Sequence, residues 1–173
     1  MSEHTITFVA ASVETVQLRC KGWRRALPEA RTQMVDNPFT GQKMPLTSWD
    51  PDPTAAFPDD AVDVPTWNGL STLAVHMVSP EDVRDIAGVL LPEPERQAAV
   101  RVGFVGPDPA SVEHREILVL SREFATTLAS AHGDVAKTTA LSEEAVTLLR
   151  SLSPFARAAN NRTHTIFAYF EWG

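Results

Sequence analysis

The chain has 173 residues, 43% of them apolar and 21% charged, and a formal net charge of -7. That length suits one domain with a core large enough to need neither disulfides nor a structural metal, and the lone cysteine, Cys20, excludes an intrachain disulfide and a thiolate cluster for zinc. The acidic balance argues against general nucleic-acid binding, which wants a basic face.

No segment approaches the ~20 consecutive apolar residues of a bilayer span. The opening run MSEHTITFVA lacks the basic start and long apolar centre of a secretion signal. A reduced, cytoplasmic protein with no membrane attachment is therefore expected. Twelve arginines against three lysines fit a GC-rich bacterial coding sequence. Asn161-Arg162-Thr163 matches a glycosylation sequon, which without export is taken as chance.

In chain order, Thr5–Val9 is rich in β-branched and aromatic residues and reads as a strand. Glu14–Cys20 fits two periods. Val16, Leu18 and Cys20 alternate as in a strand, whereas Val13, Val16 and Cys20 share a helical stripe. The strand is preferred. Asn37-Pro38 then opens a type I turn, because proline fixes φ and the asparagine side chain accepts backbone N–H groups beyond it. Gly41 supplies the left-handed residue that closes a hairpin between 31–36 and 42–49.

From Asp50 to Gly69 there are five aspartates, four prolines and no basic residue. Proline withholds ladder donors, so this stretch is expected to be a surface loop, pinned to the body by Phe57, Val62, Val64 and Trp67.

A strand over 72–78 leads into Ser79-Pro80-Glu81-Asp82, a helix start with its N-cap, its first-turn proline and its first-turn acids. Val78 and Val83 form a staple, Val83, Ile86, Ala87 and Leu90 the buried stripe, and Pro92 the stop. A short helix is predicted over 95–102, a buried strand over 116–120, and a helix from Ser121 carrying Phe124, Leu128 and Ala131. Ser142 starts the longest helix, which Pro154 should kink or end and which Asn160 or Asn161 should terminate in the left-handed region. The final segment, 164–172, is apolar on both faces and so belongs inside a sheet.

Searches for chemistry return little. Gly69-Leu70-Ser71-Thr72-Leu73 has half of a nucleophile elbow. Gly103-Phe104-Val105-Gly106 is followed by prolines that remove the N–H donors a phosphate loop needs. Asp50 and Asp52 resemble the start of a calcium loop, but Ala55 stands at its glycine and Ala61 at its bidentate glutamate. His4, His76, His114, His132 and His164 form no i, i+3 or i+4 pair. No cofactor or metal is expected.

Charge segregation is the distinctive feature. Arg19, Lys21, Arg24, Arg25 and Arg31 surround Trp23 with one acid, Glu29, and the acidic loop follows. The two regions either neutralise each other or serve binding.

The expected fold is thus a single α+β domain over 1–173, strand-rich to residue 49, with a mostly antiparallel sheet and three or four helices mainly on one face. The expected activity is non-enzymatic protein binding, as by an immunity or inhibitor protein that neutralises a basic bacterial toxin. Asp50, Asp52, Asp59, Asp60, Asp63 and Trp67 would form its contact surface. The alternative is a hydrolase-like enzyme whose histidines, His76 and His114 foremost, meet a carboxylate from distant segments.

Overall fold

A computed structural model describes residues 4–25, 31–48, 57–107, 116–131 and 140–172. Among these the order is β1 (His4–Ala11), α1 (Val13–Arg19), β2 (Arg24–Arg25), β3 (Arg31–Asp36), β4 (Lys43–Ser48), β5 (Ser71–His76), α2 (Pro80–Leu90), α3 (Glu95–Ala98), β6 (Val100–Val105), β7 (Glu116–Leu120), α4 (Arg122–Ser130), α5 (Glu143–Asn161) and β8 (Thr165–Trp172). Six strands form one sheet in the order β2-β6-β7-β8-β1-β5, while β3 and β4 pair only with each other. Every strand pair is antiparallel. The α+β architecture is the one the sequence predicts.

Alternation along the strands creates two cores. Ile6, Phe8 and Ala10 of β1, Leu118 and Leu120 of β7, and Ile166 and Ala168 of β8 face α2, α4 and α5. Val9, Ala11, Ile117, Phe167 and Tyr169 point the other way and are covered by Val16, Cys20 and Trp23. β8 lies between β7 and β1, which explains why its apolar residues fall on both faces. Phe8 and Phe167 are 0% and 2% exposed, each on a different face, and burial of a ring of this size contributes about 1.5–3 kcal/mol.

Helix starts follow the serines. The Oγ atoms of Ser121 and Ser142 accept from the N–H groups of Phe124 and Ala145, both at 3.1 Å. At α2, Asp82 reaches back to the Ser79 N–H at 2.8 Å, and Val78 and Val83 are both buried as the staple requires. The predicted hairpin is present: the Asn37 carbonyl accepts from Gly41 N–H, Asn37 Oδ1 accepts from Phe39 N–H, and Gly41 has φ of 70°.

Four expectations are corrected. Residues 13–19 are helical, not extended: Ser12 Oγ caps the Thr15 N–H, Val16 and Cys20 are buried, and Leu18 is 81% exposed. The helix predicted over 95–102 stops at Ala98, and Val100–Val105 is strand β6, which pairs with β7 around an irregularity between Val102 and Phe104. Pro154 does not end α5; it sits at an exposed position inside the helix. The left-handed terminator is Thr163, with φ of 57°, and not Asn160 or Asn161, which remain helical. Asn160 is held there because its Nδ2 donates to the Ala125 carbonyl of α4 at 3.1 Å.

Candidate functional site

Among the described residues, two places combine polar chemistry with shape. One lies under the acidic loop. Its described part, 57–70, crosses the sheet face opposite α2, α4 and α5, and the basic segment after α1 holds it there. Lys21 Nζ stands 2.7 Å from Asp60 Oδ2, and the Val62 N–H donates to the Lys21 carbonyl at 2.9 Å. Trp23 Nε1 donates to the Val62 carbonyl, and the Arg24 guanidinium lies 4.0 Å from the centroid of the Phe57 ring. Gly22 makes this approach possible: its φ is 83°, and a Cβ there would sit 2.6 Å from that of Ala61.

The predicted contact residues take different positions. Asp59, Asp60 and Asp63 are exposed. The hydrogen bond from Lys21 holds the Asp60 carboxyl below its usual range, with the ammonium charge acting in the same direction. Asp63 also has an interaction with the rest of the chain. Trp67 is half-buried, edge-on to Tyr169 at 6.0 Å between ring centroids, so it anchors the loop to the sheet. Asp50 and Asp52 lie outside the described residues. The two charge blocks therefore meet, and part of their charge cancels, while Asp59, Asp63 and the 47% exposed Val64 face outward.

The second place was not anticipated. A cleft of about 260 Å³ opens between the C-terminal end of α5 and the β5 edge of the sheet. Ala10 and Ala159 floor it, Phe155 walls it, and Arg162, His164 and Ser71 line its polar side. Arg162 Nη1 donates to Ser71 Oγ at 3.2 Å. The turn that positions Arg162 and His164 is a helix end in which Thr163 N–H donates to the Asn160 carbonyl and His164 N–H to that of Ala159. A β-branched residue at φ of 57° is costly there, which fixes Arg162 and His164 on either side of a strained position. His164 Nδ1 is closed off from solvent without a hydrogen-bond partner.

The histidines proposed to converge do not supply a described cluster. His76 sits exposed on β5, its Nδ1 3.0 Å from Thr5 Oγ1, and His114 lies outside the described residues. No group of three or more His, Cys, Asp or Glu side chains among the described residues is arranged to hold a metal ion. Cys20 is buried with its Sγ donating to the Val16 carbonyl, and burial pushes the thiol up to about 12.

The sequence signal for the loop contact was the separation of charge between residues 19–31 and 50–69. The cleft had no such signal, because Ala10, Ser71 and Arg162 come from three distant segments. Comparisons of the chain with protein-family models, with curated proteins and with solved structures give no match, so its site must be read from its own geometry.

Proposed function

We propose that this chain is a non-enzymatic binding protein that docks a basic protein partner through its acidic loop, as an immunity or inhibitor protein covers a bacterial toxin in the cytoplasm. The observation that carries the reading is the fixing of residues 57–67 onto the body by Lys21, Trp23 and Arg24. A segment already ordered loses little conformational freedom on docking. Asp59 and Asp63, facing out, would steer a cationic partner into place. Asp60 and Trp67 would contribute by holding the loop's shape, and Asp50 and Asp52 would extend the acidic surface along the chain.

The test is capture from cells carrying the native gene, followed by association kinetics on the identified partner. The variant Asp59→Lys should lower the association rate about threefold at low salt, with a smaller difference at high salt. Asp60 is left intact, since its reversal would set two cations together at Lys21 and loosen the loop. A captured partner whose rate and salt dependence ignore Asp59→Lys would overturn the proposal.

A further inference from the structure

We infer that the cleft at the end of α5 is a binding site for a small organic acid in its anionic form, with the carboxylate on Arg162 and an apolar body against Phe155 and Ala158. Four observations lead there. First, the protein carries a net charge of -7, yet among the described residues no aspartate or glutamate lines this cleft, and the one permanent charge there is a cation. Second, Arg162 is exposed and forms no ion pair with a carboxylate of the described residues. Its hydrogen bond to Ser71 uses one of the five N–H donors of a guanidinium and holds the plane, which leaves donors for a bidentate carboxylate.

Third, the opposite wall is apolar. Ala10 and Ala159 are 3% and 2% exposed, and Phe155 stands beside them. That surface suits a hydrocarbon or aromatic body, which a phosphate dianion lacks, while Ser71 and Thr72 supply the cleft's hydroxyls. A single cation likewise matches one negative charge better than two. Fourth, the strain at Thr163 holds Arg162 and His164 in a fixed relation, as expected where a ligand clamp is built.

One effect opposes an anion here: the C-terminal end of a helix carries partial negative charge. Its strength is reduced because the Ala159 and Asn160 carbonyls are already engaged by the His164 and Thr163 N–H groups. A full guanidinium charge then dominates the local field.

The test is a titration of the full chain, followed by amide chemical shifts in NMR, with benzoate, its neutral isostere benzamide, and inorganic phosphate. Benzoate should bind with a Kd on the order of 1 mM, as its size allows, and should shift the amides of residues 71–72 and 155–164. Benzamide and phosphate should each bind at least about tenfold more weakly, since one lacks the charge and the other the apolar body. Arg162→Gln should weaken benzoate by about tenfold or more, and Ala158→Leu, which fills the cleft from an exposed helix position, should abolish its binding. Amide spectra away from the cleft report that the variants are folded. The wild-type ligand series also stands without them. Absence of saturable shifts at these amides, equal binding of benzamide, phosphate binding as tight as benzoate, or indifference to both substitutions would overturn the inference. Because the acidic loop takes no part, this result and the partner test above stand or fall separately.

Discussion

Cys20 illustrates how one buried atom couples folding to pH. Its thiol ionises near 9.0 when solvated, whereas in the fold burial pushes that value to about 12. The folded chain therefore keeps a proton that the unfolded chain releases above pH 9. The stabilisation is complete below the unfolded value and is lost as pH rises toward the folded one. Over that window the slope attributable to Cys20 is about 1.4 kcal/mol per pH unit. Urea denaturation of the wild type and of Cys20→Ala at several pH values from 8 to 11 isolates it. The variant should be less stable at pH 8, through lost packing, but its stability should fall less steeply above pH 9. Parallel curves would mean that the thiol ionises in the fold as easily as in water.

At the level of elements, Pro154 is the point where local preference and tertiary packing conflict. A proline inside a helix costs up to about 3 kcal/mol, because it withholds an N–H and crowds the carbonyl four residues earlier. α5 continues through it because Leu148, Leu149, Leu152, Ala156 and Ala159 bury a stripe on both sides of the position. Pro154→Ala should restore the missing bond at an exposed site and stabilise the chain by about 1–2 kcal/mol, after allowance for the freer unfolded chain. A raised urea midpoint with an unchanged m-value is the expected signature. A lower midpoint would mean that the added freedom of the unfolded chain outweighs the restored bond. The same competition decides what could be read from sequence. α2 was legible because capping, staple and apolar period agree. α1 was not, since seven residues satisfy both periods, and the discriminating sign was the cap at Ser12. β6 was hidden because Glu95–Ala98 does start a helix, and only the Val100, Val102 and Phe104 alternation beyond it announces a strand. The loop contact was half visible, as opposite charges that had somewhere to meet. The Arg162 cleft was invisible, because it exists only once β1, β5 and α5 are assembled.

For the whole molecule, the β3–β4 hairpin separates stability from recognition. It joins no other strand of the described residues, and none of the side chains from Met34 to Pro45 is buried. It presents Met34, Phe39 and Met44 at 60%, 95% and 39% exposure. An isolated two-stranded ribbon is marginal in water, so its apolar tip contributes little to the fold that carries it. Replacing residues 36–43 by Asn-Gly would join Val35 to Met44, which already face each other across the pair, through a two-residue turn. The shortened chain should keep its unfolding free energy within about 0.5 kcal/mol of the wild type, as expected for surface changes that remove no buried group. Calorimetry and urea melts measure this directly. A loss of several kcal/mol would place the hairpin in the cooperative core. If stability is retained, the shortened chain becomes the control for partner capture. Any capture it loses then reports lost contacts of Phe39 and the turn around it, apart from the charge steering tested at Asp59.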